Sequence, residues 1–94
     1  MSDKHMVLAV DDDRCISERV SLRLREAGFD TAIANDGDEA VAMAKEIEPD
    51  AMVVGIRMPV MGDLFVLNAI KSDEQTKDIP VVMLSASVVD QERS

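Results

Sequence analysis

Aromatic side chains are almost missing from this 94-residue chain: Phe29 and Phe65 are the only two, with no Trp or Tyr. Its interior must therefore be aliphatic, with seven Met as adaptable filler. Cysteine is as scarce. Cys15 stands alone, which rules out an intramolecular disulfide and fits a reducing cytoplasm. Histidine occurs once, at His5, so Cys15 has no partner for nucleophilic chemistry and reads as a small packing residue. Positive charge is short: ten Lys and Arg against nineteen Asp and Glu leave a net charge of −9. That balance speaks against nucleic acid or an anionic membrane as the main partner. No apolar run approaches the ~20 residues needed to span a bilayer, and no signal-peptide pattern precedes the first one.

What remains is 47% hydrophobic and 31% charged, a folded chain rather than a disordered one, and long enough for a single domain. Residues 1–5 form a short polar leader. Three continuous apolar runs follow: Met6 to Val10, Ala51 to Ile56 and Pro80 to Leu84. Runs of this length without alternation suit strands buried on both faces of a parallel sheet. Thr31 to Ala34 adds a shorter strand.

Between the strands the period turns helical. Ile16, Val20, Leu24 and Ala27 share one face of a first helix, stopped by Gly28, with Arg19, Arg23 and Arg25 on a solvated face. A second helix, capped by Asp36 or Asp38, runs to about Ile47 with Ala40, Val41, Ala44 and Ile47 inward. Leu64, Leu67 and Ile70 mark a third, Lys71 to Asp78 a polar loop, and Ser87 a further helical start. The pattern is β-α-β-α-β-α-β, an α/β fold with an open parallel sheet.

Ligands of such sheets sit at the carboxyl ends of the strands. Three stretches meet there: Asp11-Asp12-Asp13, Gly55 and Ser85-Ala86. Two unit charges ~5 Å apart repel by roughly 3 kcal/mol at an effective dielectric of 20. A hard cation such as Mg²⁺ would relieve the three carboxylates. The plainer reading is that one Asp caps the helix near Arg14 while the others face water. Gly55 is the odd residue, since glycine loses most entropy on ordering and gives a sheet no side chain to pack.

In order, MVLAVDDD (6–13), AGF (27–29), ANDGDEAVAMA (34–44), EPDAMVV (48–54), MPVM (58–61) and TKDIPVVMLSA (76–86) resemble the receiver domain of two-component response regulators, the CheY-like family. The resemblance implies a sheet of order 2-1-3-4, lacking the family's fifth strand and last helix, so that 1–94 is a C-terminally incomplete receiver. It places Mg²⁺ on Asp11, Asp12 and the Arg57 backbone carbonyl, and a switch hydroxyl at Ser85. The phosphoacceptor aspartate falls on residue 55, which here is Gly55. No lysine stands where the family pairs one with the phosphate, and Met61-Gly62-Asp63 inverts the family's turn order.

The function implied is a non-enzymatic receiver in phosphorelay signalling, not phosphorylatable at residue 55, with weak Mg²⁺ binding. Arg14 or Arg57 pairing with the acids is the alternative to the cation. The implied partner is a histidine kinase or phosphotransfer protein. Helix one alone cannot cover strands three and four, so a homodimer across that face or edge, helix exchange or a partly molten chain is expected. Two other readings stay open. Asp11-x-Asp13 is similar to the nucleophile and acid pair of haloacid-dehalogenase-type phosphohydrolases, although Arg14-Cys15 follows where that family wants Gly-Thr and the chain is far shorter. The last is a partner-binding module that uses no phosphate.

Overall fold

Each apolar run forms a strand. The computed structural model describes residues 5–55 and 62–84. In these, β1 (Met6–Val10), β2 (Asp30–Ala34), β3 (Ala51–Gly55) and β4 (Val81–Leu84) alternate with α1 (Arg14–Glu26), α2 (Gly37–Ile47) and α3 (Gly62–Ser72). All pairings are parallel and the order is β2-β1-β3-β4. This is the CheY-like arrangement expected. Ile56, the Met58-Pro59 break and the helical start at Ser87 lie outside the described residues.

The alternation of side chains divides the sheet into two faces. Leu8, Val10, Met52 and Val54 point to one face, where Ala40 and Ala44 of α2 and Val66 and Ile70 of α3 close over them. α1 lies against β1 and β2 and contributes nothing to that cluster. β1, between β2 and β3, is buried along most of its length, which is why it reads as an unbroken apolar run. On β4, at the sheet edge, Val82 is 50% exposed.

Three expectations need correction. The deepest residues of α1 are Ser17 and Ser21, not the Ile16–Val20–Leu24 stripe, which is only half-buried, and Ala27 is exposed. The line of closest approach to the sheet takes small residues, and their hydroxyls are bonded: Ser21 Oγ lies 2.6 Å from Thr31 Oγ1. Cys15 is exposed in the first turn of α1 rather than packed. In α3 the buried side chains among those described are Val66 and Ile70, spaced i, i+4, while Leu67 is half-buried and the Leu64 side chain lies outside the described residues. The polar loop after α3 is anchored from within by Thr76, whose hydroxyl donates to the Ile70 carbonyl at 2.6 Å.

The helix ends follow the sequence signals. Gly28 adopts φ +104° after α1, and the Phe29 N–H returns to the Leu24 carbonyl at 3.0 Å. Asp36 caps α2, accepting the Glu39 N–H at 2.7 Å. Glu48 closes it in the left-handed region.

Candidate functional site at the carboxyl end of the sheet

Strand register builds the site. Val10 stands opposite both Ala34 and Val54, so the next residue, Asp11, comes beside Gly55 at the carboxyl edge. The Asp11 N–H donates to the Ala34 carbonyl at 3.1 Å, extending the β1–β2 ladder by one residue. From there the chain turns into α1. The Asp13 N–H donates to Asp11 Oδ1 at 2.8 Å, and the Cys15 N–H to Asp13 Oδ1 at 2.9 Å. Ile16 and Ser17 N–H groups then take the Asp13 carbonyl. The three carboxylates thus have different duties. Asp13 caps the helix, Asp12 is exposed, and Asp11 is 5% exposed.

Burial pushes the Asp11 carboxyl above the ordinary carboxylate range. The Asp13 N–H bond opposes this, and the neighbouring Asp12 and Asp13 charges add to the rise. No cation offsets them among the described residues, whose ion pairs are His5–Asp50, Lys45–Asp73 and Lys77–Glu74. Arg14 is exposed and pairs with none of the three acids. Among the described residues no group of three or more His, Cys, Asp or Glu stands close enough to share a metal. The candidate cation donors number two, Asp11 and Asp12.

Gly55 is buried at the end of β3, and Asp11 fills the space its side chain would need. A β-carbon at residue 55 would fall 2.8 Å from Asp11 Cγ and closer still to Oδ2. The structure therefore brings together Asp11, Asp12 and Gly55. Arg57 and Ser85 lie outside the described residues.

One residue that the sequence did not single out belongs here. Asn35, after β2, donates from Nδ2 to the Asp11 carbonyl at 2.8 Å and to Ser17 Oγ at 3.0 Å. Its own N–H is held by Glu39 Oε1 at 2.8 Å. The Asp36-x-x-Glu39 capping pattern was the available signal, because it holds the residue before the cap in place.

Comparison with known proteins gives the family. Residues 7–94 match the response regulator receiver domain family. The DNA-binding dual master transcriptional regulator RpaA of Synechocystis is 39% identical over 80 residues, 85% of this chain and 33% of that protein. The transcriptional regulatory protein PrrA of Mycobacterium bovis is 42% identical over 85% of this chain and 34% of its own length. The chain thus spans about a third of the curated relatives it matches. Among solved structures, the chemotaxis response regulator CheY4 of Vibrio cholerae superposes with a TM-score of 0.79 at 36% identity, covering 85% of this chain and 67% of that one. The receiver domain of sensor histidine kinase PA1611 of Pseudomonas aeruginosa, solved with magnesium coordinated in its active-site cleft, shares the fold at a TM-score of 0.82 and 24% identity, over 96% of this chain and 74% of that one. With the strand order, the acidic turn at the sheet's carboxyl edge and a family match over nearly its whole length, this chain belongs to the response regulator receiver domain family of two-component systems.

Proposed function

We propose that this receiver signals without an acyl phosphate at residue 55. One observation carries the reading: the place of the acceptor side chain is taken by the Asp11 carboxylate above a glycine that has no nucleophile. Signalling then rests on docking, with a histidine kinase or phosphotransfer protein as the partner the family implies. The domain is not itself an enzyme, and residues 1–94 form one receiver unit, of which 1–5 are a polar leader. It works in the cytoplasm, in keeping with a lone cysteine and with the absence, among the described residues, of any helix long and apolar enough to cross a membrane. A homodimer is part of the same reading, supported by half-exposed Val82 on β4, which is the outermost strand among the described residues.

The donor set fits a hard divalent cation. The Asp12 carboxylate lies near enough to Asp11 to raise it further, and both offer only oxygen. Asp11 and Asp12 would hold Mg²⁺, with the Arg57 carbonyl and waters completing the set; the ion would supply charge neutralisation of the acidic pair. With two carboxylates rather than three, binding is weak. The haloacid-type alternative is not favoured, because its acid would be Asp13, whose carboxylate caps α1.

Incubation with acetyl phosphate and Mg²⁺ followed by intact mass tests the reading. The expected outcome is an unchanged mass for the parent chain. An acid-labile phosphate adduct mapping to Asp11, Asp12 or Asp13 would overturn the reading that signalling rests on docking without phosphate.

A further inference from the structure

Two backbone groups of Asp11 face β2 and the loop after it. The N–H is taken by the Ala34 carbonyl, and the carbonyl is taken by the Asn35 side chain. The second Asn35 partner, Ser17 Oγ, spends its own hydrogen on the Arg14 carbonyl at 3.0 Å. Both partners of Asn35 Nδ2 are therefore acceptors. A nitrogen carrying two hydrogens satisfies both, and a carboxylate or hydroxyl at residue 35 does not. Asn35 is in turn held from α2, through Glu39 Oε1 on its N–H and the Asp36–Glu39 cap beneath it. The end of β1, the first turn of α1 and the start of α2 converge on this one amide.

We infer that Asn35 is a positioning residue: its amide fixes the Asp11 carbonyl against α1 and α2 and so sets the aim of the Asp11 and Asp12 carboxylates. Asp11 lies at the hinge between strand and turn, so a freed carbonyl lets its peptide rotate. The Asp13 N–H bond to Asp11 Oδ1 and the Cys15 N–H bond to Asp13 Oδ1 follow that rotation. The cation arm of the test rests on the Mg²⁺ reading above, whereas the exchange arm does not.

Asn35→Asp keeps the shape and removes both donors; Asn35→Ala removes the group. Amide hydrogen exchange on the 94-residue chain is read at Asp13 and Cys15, with Met52 in β3 as the reference. In both variants the Asp13 and Cys15 amides are expected to exchange about tenfold faster, the effect of one lost hydrogen bond, with Met52 unchanged. Titration with magnesium chloride is expected to show about tenfold weaker binding than the parent. Exchange at Asp13 and Cys15 within about twofold of the parent overturns the inference. If a variant loses its fold, seen as fast exchange at Met52, Ser17→Ala removes one of the two acceptors of the Asn35 amide, together with the hydroxyl's bond to the Arg14 carbonyl, and is expected to speed the same two amides to a smaller degree. Unchanged rates there overturn the inference too. A parent chain that binds no magnesium refutes the cation reading alone, since exchange still decides the role of Asn35.

Discussion

The Asp11 carboxylate lies over Gly55, in the volume that a β-carbon at residue 55 would take. The two are cross-strand neighbours by register, so one space serves both side chains. Where β3 offers nothing but a hydrogen, the carboxylate from β1 folds inward and loses water. That single relationship links the missing side chain of Gly55 to the raised Asp11 carboxyl.

Gly55→Ala reverses it. Gly55 does not adopt a positive φ, so alanine meets no backbone strain there. The new methyl meets the far end of a flexible side chain, and Asp11 swings toward solvent. The stability change is expected to stay within about 1 kcal/mol. The Asp11 carboxyl is expected to titrate nearer the ordinary range as burial is lost, read from its carboxyl carbon shift against pH. An unmoved titration would show that the carboxylate does not occupy the space over Gly55.

Asp11→Asn separates charge from shape. Because burial raises its pKa, the folded state holds the Asp11 proton more tightly than the unfolded chain. The stability this contributes is present in acid and is lost as pH rises from the ordinary 3.8 through the raised value. Asparagine keeps an oxygen for the Asp13 N–H and carries no charge. The variant is expected to be more stable than the parent at neutral pH in metal-free buffer, with the advantage shrinking in acid. Urea midpoints at several pH values measure it, and an advantage that grows in acid would reverse the sign argued here.

Thr76→Val tests the anchor of the segment leading into β4. Thr76, in the loop after α3, is 1% exposed and its hydroxyl serves the Ile70 carbonyl near the end of α3. Valine fills the same volume and leaves that carbonyl bare. A loss of about 1–3 kcal/mol is expected from denaturant unfolding. A loss near zero would mean that water replaces the hydroxyl.

Patterning alone determined the order of the elements and the open parallel sheet, whereas the strand order 2-1-3-4 came with the family resemblance. Unbroken apolar runs at Met6–Val10 and Ala51–Gly55 mark central parallel strands, because burial on both faces abolishes alternation. Gly28, Asp36 and the acids after β1 announced the helix ends, since caps are satisfied within a few residues of chain. Asp11, Asp12 and Gly55 were legible as one site because the fold class itself places strand ends together.

Tertiary structure decided what depends on contacts between segments distant in sequence. Which of three adjacent aspartates is buried follows from the glycine beside it on β3, and no local pattern in the acidic run carries that information. The burial of Ser17 and Ser21 in place of the apolar stripe follows from how closely α1 approaches the sheet, which their bonds to Asn35 and Thr31 make possible. The pairing of Asn35 was invisible in the sequence because its partners, Asp11 and Ser17, lie 24 and 18 residues away. Hydrogen-bond satisfaction within a turn is a local matter, but satisfaction of a buried carbonyl at a strand end is met by whichever segment the sheet order brings alongside.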